Sequence, residues 1–124
     1  NGRKMETGQE LIEASVLEGI RVVNENDAPI GNLDTMLVDL NTMMITLGLV
    51  RMTGPDLTAE RIKAVPWPAL KLDPANYRFE VAVADEKQFE KSPSYIQDEA
   101  DFSIDAARSL YSQFGFKYYQ TPVD

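Results

Sequence analysis

Short apolar runs separated by turn-forming residues make up most of the chain up to residue 84. Apolar side chains alternate from Met43 to Val50 and from Tyr77 to Val83, at the two-residue period of a β-strand. Further β-branched or aliphatic runs occupy residues 20–23, 30–40 and 61–72, and clusters of Asn, Asp, Pro and Gly separate them. The pattern predicts five to six short strands joined by tight turns.

The run that ends at Leu40 and the run that follows it are predicted to form a hairpin. Leu33 to Leu40 is apolar on both faces, which predicts a central, strongly curved strand. A turn at Asn41-Thr42 leads into the next strand, where alternation puts Met43 on the apolar face and Met44 on the other. Because methionine adapts to varied partners, Met44 becomes a candidate surface contact.

The period changes to a helical one after residue 84. Residues 85–91 predict a short helix because Asp85 can cap it, and residues 94–101 read as an acidic connector. A second helix is predicted to begin after Ser103 and to end at Gly115. Its apolar residues recur at helical spacing: Ile104, Ala107, Leu110, Tyr111 and Phe114.

The absence of helices between the strands excludes a parallel β-α-β arrangement. We therefore predict a mainly β fold, a small antiparallel β-barrel of five to six strands with a C-terminal helical extension. Residues 1–19 form a leader, residues 20–84 the β domain, and residues 85–124 a helical and aromatic extension packed on the barrel or on a partner copy. Trp67, between Pro66 and Pro68, is expected to plug the core where the sheet closes.

Composition removes several classes of function. The chain has no cysteine and no histidine, which excludes thiol catalysis, the serine–histidine pair and metals ligated by cysteine or histidine. The net charge of -8 makes nucleic acid an unexpected partner, because an acidic surface repels phosphates. No apolar run reaches the roughly 18 residues of a membrane span. We expect no catalytic residue and no cofactor.

Four segments together resemble the PRC-barrel family, which is named from the H subunit of the photosynthetic reaction centre. The matching segments are Val22–Asn26, Pro29–Asp34, Leu37–Leu40 and Ala64–Asp73, and the tail from Ser92 to Tyr119 is similar to that of stand-alone members. The resemblance implies a non-enzymatic interaction or assembly module. It also leaves open an accessory subunit in photosynthetic electron or proton transfer. Family members commonly have a glycine-rich loop at this point, whereas this chain has a different, unusual loop made of residues 51–61.

Candidate residues fall into an interaction set and a structural set. Because aromatic residues are enriched at interfaces, the C-terminal aromatic cluster is the principal interaction candidate, and the unusual loop is the second. The interaction set is Met44, Arg51, Met52, Phe114, Phe116, Tyr118 and Tyr119. The structural set is Gly31, Asp39, Pro66 and Trp67. The expected partner is another protein or a second copy, most simply a homodimer.

Carboxylates offer a further alternative. Asp34 and Asp39 lie five residues apart on one strand, so alternation puts them on opposite faces. We expect solvated residues that accept turn hydrogen bonds rather than a catalytic pair. An oxygen-ligand metal site is conceivable among the acidic residues of the tail, which are Asp98, Glu99, Asp101 and Asp105. Since the chain begins at Asn1 without methionine, we expect a periplasmic protein if a signal peptide was removed and a cytoplasmic one otherwise.

Overall fold

The structure is a computed structural model, and it describes residues 10–52, 61–81, 94–96 and 102–118. The chain forms strands and one α-helix, with short 3-10 turns at Ala14–Leu17 and Trp67–Ala69. The regular elements are β1 (Arg21–Val23), β2 (Pro29–Asp39), β3 (Met44–Met52), β4 (Arg61–Pro66), β5 (Leu70–Asp73), β6 (Arg78–Val81), β7 (Ser94–Ile96) and α1 (Ile104–Phe114). A mainly β fold with a C-terminal helix, as predicted, is therefore confirmed.

The seven strands form one sheet in the order β5-β6-β1-β2-β3-β4-β7. All neighbours are antiparallel except β1 and β6, which run parallel, so the sheet is mixed where a purely antiparallel one was predicted. The parallel pair arises because the chain leaves β4 through the 3-10 turn at Trp67–Ala69 and carries the β5–β6 hairpin to the far side of β1. Within the described ranges, β5 and β7 are the two edges of the sheet.

Three irregularities in strand register bend the long β2–β3 hairpin. Ile30 is the extra residue between the pairs that β2 makes with β1, and Asp34 is the extra residue opposite β3. On β3, Thr46 is the extra residue between the pairs Leu37–Leu47 and Val38–Ile45. Each bulge adds local twist and points one side chain in a new direction. Residues 46–50 of β3 are all buried, because the inner core covers one face of this strand and α1 with its core residues covers the other.

Gly31 allows the first bend. A Cβ at this position would collide with the backbone carbonyl oxygen of Arg51 on the neighbouring strand. Backbone atoms cannot give way as a flexible side chain can, so only glycine permits this close approach of β2 to β3.

Alternate residues of β3 and β4 are buried on opposite sides of the sheet. Val50 and Val65 face the inner core, which also contains Leu17, Ile20, Val22, Leu33, Ala69, Leu70, Phe79 and Val81. Leu49 and Ala64 face a second core beneath α1, together with Leu47, Ile62, Ala107, Leu110 and Tyr111. The helix therefore covers the outer face of these strands, because its apolar stripe needs a partner surface.

The second helix follows its prediction closely. α1 begins after Ser103, whose hydroxyl accepts a hydrogen bond from the Ala106 N–H at 3.1 Å. It ends at Gly115, which has a φ of 80° in the left-handed region that glycine adopts without a steric penalty. The predicted helix at residues 85–91 and most of the leader, residues 1–9, lie outside the described residues.

Four local predictions were wrong. Arg51 and Met52 belong to β3, because Arg51 pairs with Asn32 on one side and Ile62 on the other. Ser94–Ile96 is a strand, since it pairs with the start of β4. Tyr77 lies in the turn before β6, with a φ of 52°.

The fourth correction concerns the segment around Trp67. β4 ends at Pro66, and Trp67 starts the 3-10 turn instead of ending the strand. Its half-buried ring packs edge-on against Phe79, with the ring centroids 5.8 Å apart. Trp67 therefore packs beside the core at the point where the chain crosses to β5.

Candidate functional site

Apolar side chains are exposed together at the tip of the β2–β3 hairpin. Leu40 and Met43 are 81% and 72% exposed, and Val38 and Met44 are 46% and 43% exposed. We call these four residues the hairpin-tip patch. Single exposed apolar residues are common on any protein, whereas several at one turn are the kind of feature that marks an interaction site.

Asp39 builds the turn that carries the patch. Its Oδ1 accepts a hydrogen bond from the Asn41 N–H at 2.8 Å, and its backbone carbonyl accepts one from the Met43 N–H at 2.7 Å. The Thr42 hydroxyl accepts from the Met44 N–H at 3.2 Å. Met43 itself has a φ of 60°, the left-handed conformation that lets the chain reverse. The apolar side chains are therefore presented by a hydrogen-bonded turn.

The C-terminal segment holds Asp39 from the other side. The Tyr118 hydroxyl donates a hydrogen bond to Asp39 Oδ2 at 2.7 Å. The Tyr118 ring meets the Tyr111 ring edge-on, with centroids 5.0 Å apart, and the Arg108 guanidinium lies 5.5 Å from the Tyr118 ring centroid. These contacts connect the tail to the base of the hairpin turn.

Hydrogen bonding sets the charge state of this cluster. The hydrogen bond from Tyr118 is the main reason that the pKa of Asp39 lies below its usual value, and the Asn41 N–H lowers it further. Burial raises the pKa of Tyr118, and its hydrogen bond to Asp39 raises it again. At neutral pH the pair therefore consists of an ionised carboxylate and a neutral phenol.

Tyr111 anchors α1 to the same hairpin. Its side chain is completely buried, and its hydroxyl donates a hydrogen bond of 2.6 Å to the backbone carbonyl of Thr46. Thr46 is the bulge residue of β3, for which neither neighbouring strand supplies a register partner. The helix thus supplies a hydrogen-bond donor to a buried backbone carbonyl at the bulge, where buried polar groups need partners.

A groove of about 450 Å³ separates the hairpin tip from the start of α1. Strand and turn residues form one wall, and the segment entering α1 with the first turns of the helix forms the other. The lining consists of Leu37, Val38, Asp39, Leu40, Asn41, Thr46, Leu47, Phe102, Ser103, Ile104 and Ala107. Most of this surface is apolar, and Asp39 is the ionisable side chain among these residues. The hairpin-tip patch borders the groove directly.

The predicted interaction residues lie in three different places. Met44 belongs to the hairpin-tip patch. Arg51 forms an ion pair with the bulge residue Asp34 at 2.5 Å, and Met52 packs beside the inner core. The tail residues Phe114, Phe116 and Tyr118 pack against the chain's own core clusters, and Tyr119 lies outside the described residues. The interface role of the tail stays a prediction.

The structural set and the carboxylates also have defined positions. Pro66 is fully buried at the end of β4, and Asp39 accepts the turn hydrogen bond expected of it, although it is buried instead of solvated. Asp34 and Asp39 are separated by roughly 16 Å along an extended strand. They therefore do not form a shared site, despite the bulge at Asp34.

The described residues contain no group of three or more acidic side chains arranged to hold a metal ion. Asp105 lies exposed in the first turn of α1, whereas Asp98, Glu99 and Asp101 fall outside the described ranges, together with residues 53–60 of the unusual loop. The metal-site alternative thus stays a prediction.

Sequence patterns missed three of the four residues of the patch. Met43 was assigned to the buried face, which is wrong: the Thr46 bulge breaks the alternation, and Met43 sits in the turn and not in β3. Leu40 was assigned to a central strand but follows its end at Asp39, and Val38 is half-exposed at the last pairs of that strand. The sequence did contain one signal for the patch, because the apolar residues Leu40 and Met43 flank the short turn at Asn41-Thr42.

No protein-family model matches the chain, and neither does any curated protein sequence. Among the described residues, no helix has the length and apolar character needed to cross a membrane.

Proposed function

We propose that this chain is a non-enzymatic protein-interaction or assembly module of the PRC-barrel type, with the hairpin-tip patch as its contact surface. The observation that carries the proposal is the exposure of Val38, Leu40, Met43 and Met44 at one hydrogen-bonded turn beside an apolar groove. Because hydrogen bonds already order the backbone of this turn, the backbone loses little conformational freedom on binding, which favours association.

The finer fold in this proposal is the PRC-barrel. The segments that resemble the family fall on β1, on β2 and on the crossing from β4 to β5, where Trp67 packs on Phe79. These are the elements that bend the sheet around its inner core, so the resemblance and the packing are compatible. Closure of the sheet into a barrel is part of the proposal.

The tail contributes indirectly. Tyr118 donates a hydrogen bond to the Asp39 carboxylate, and Tyr111 donates one to the carbonyl of the bulge residue Thr46. Both tyrosines therefore position the hairpin that carries the patch. The binding of a partner at the hairpin tip would therefore depend on Tyr111 and Tyr118, although the partner does not contact them.

Site-specific photo-crosslinking in the source cell tests the proposal. A photoreactive amino acid replaces Met43 in the full chain, and the matched control replaces Tyr77, which is exposed in the turn between β5 and β6. We expect a crosslinked protein species of discrete mass from position 43 that is absent or much weaker from position 77. Equal labelling at both positions, or no discrete species at position 43, would contradict the proposal.

A further inference from the structure

We infer that the groove beside the hairpin tip binds an apolar peptide segment of a partner protein that carries a lysine or arginine. The inference rests on the proposed function and extends it, because it states the chemistry of the occupant. It depends on the shape of the groove, on the carboxylate of Asp39 in its wall and on the charge of the chain.

The shape suits apolar side chains from a peptide. A volume of about 450 Å³ lies within the range of roughly 300–1,000 Å³ typical of ligand pockets. Leu37 and Leu40 form part of one wall, and Phe102, Ile104 and Ala107 form part of the other. Because the groove is continuous with the exposed patch, an occupant can fill the cavity and cover the methionines of the turn at the same time.

The carboxylate of Asp39 gives the groove its polarity. A carboxylate offers about four acceptor sites; the hydrogen bonds from Asn41 and Tyr118 occupy two of them, and the Thr42 N–H acts on the carboxylate more weakly. The acceptor capacity that is left can receive a hydrogen bond from an ammonium or guanidinium group. Asp39 is only 5% exposed, so a cation that reaches it is attracted through a partly desolvated environment where charge pairing is stronger than in water.

Neighbouring charges favour the same occupant. Asp105 is exposed next to the groove residue Ile104 and adds a second negative charge. Arg108 has the weakest effect of the groups that lower the pKa of Asp39, and its guanidinium lies over the Tyr118 ring. With a net charge of -8 for the whole chain, a basic partner is attracted and an acidic one is repelled.

The same charges disfavour a second copy of this chain as the occupant. A two-fold contact through the hairpin tips would bring Asp39 and Asp105 of both copies to one interface, between two chains that each carry -8. Like charges across an interface oppose association. A basic apolar segment from another protein meets neither obstacle.

Selection from a phage-displayed library of random linear peptides tests the inference on the full wild-type chain, with unbound phage removed at low ionic strength. The variant Leu40→Asp replaces an exposed turn residue of the patch, and Leu72→Asp, on β5, is the matched control outside the groove. Circular dichroism checks that both variants fold. We expect selected peptides that combine apolar residues with Lys or Arg, bind at least tenfold more weakly to Leu40→Asp, and bind Leu72→Asp as they bind wild type.

A salt titration and a charge variant separate the two proposals. Peptide binding to the wild-type chain should weaken as ionic strength rises. Asp39→Asn should also weaken peptide binding, and the exposed control Asp105→Asn should have a smaller effect.

Peptides that depend on Leu40 but lack basic residues, or that bind independently of salt, overturn this inference and leave the proposed function intact. The absence of any peptide sensitive to Leu40→Asp overturns both. A wild-type dimer that sediments as a monomer after Leu40→Asp overturns the inference in favour of a second copy.

Discussion

The buried hydrogen bond between Tyr111 and Thr46 is expected to contribute measurably to stability. In Tyr111→Phe the ring keeps its place beneath α1, but the carbonyl of the bulge residue loses its donor. A typical hydrogen bond contributes about 1 kcal/mol net, and a buried carbonyl left without a partner costs about 1–3 kcal/mol. Because the Tyr111 side chain is fully buried, water cannot replace the lost donor without a rearrangement. We expect the free energy of unfolding to fall by about 1–3 kcal/mol.

Urea and thermal unfolding, followed by circular dichroism, measure this change. For a chain of this size about 1 kcal/mol corresponds to roughly 4 °C, so the midpoint should fall by about 4–12 °C. Tyr77→Phe is the matched control, since Tyr77 is 44% exposed and lies in a turn away from α1. A loss in Tyr111→Phe below about 0.5 kcal/mol, or no greater than that of the control, would refute the anchoring role of this hydrogen bond.

Two further predictions concern the bend of β2 and the charge of Asp39. In urea unfolding, Gly31→Ala should lower the free energy of unfolding more than Gly48→Ala does. The new Cβ at position 31 meets the Arg51 backbone, whereas the new Cβ at position 48 meets a methyl group of Leu70 that can move. Equal losses of stability in the two variants would contradict the close approach of β2 to β3. Tyr118→Phe should raise the pKa of Asp39, measured by carboxyl carbon NMR, because it removes the main cause of the lowered pKa. Since that pKa lies below its unfolded value of 3.8, the stabilisation is present above pH 4 and disappears as the pH falls through the folded pKa. The stability lost in Tyr118→Phe should therefore be larger at pH 7 than at pH 2; a constant loss would mean that the hydrogen bond does not act on the charged form.

The sequence was sufficient for those elements whose signals are local. α1 was predicted with its cap Ser103 and its stop Gly115, because both act within one turn of the helix. β1 to β6 were recognised from their apolar runs, and the turn formers between them from residue type alone, whereas β7 was mistaken for a connector. The parallel β1–β6 pair was beyond local patterns, since it depends on where the chain goes after Trp67.

The candidate site was harder to predict for a related reason. A bulge changes the face of every residue beyond it, and the sequence contains no distinct mark of the one at Thr46. Alternation therefore assigned Met43 to the core and overlooked Leu40 as a surface residue. The hydrogen bond between Asp39 and Tyr118 joins residues 79 positions apart, so it could only be found in the folded chain.

The affinity of the hairpin tip for the partner captured at position 43 tests the central claim most directly. The dissociation constant of that partner is measured by titration calorimetry for the wild-type chain, for Leu40→Asp and for the control Leu72→Asp. We expect Leu40→Asp to weaken binding at least tenfold, because it places a charge in the middle of an apolar contact, and Leu72→Asp to leave it within about twofold. Equal affinities for the wild-type chain and a correctly folded Leu40→Asp would contradict the claim that the hairpin-tip patch is the contact surface.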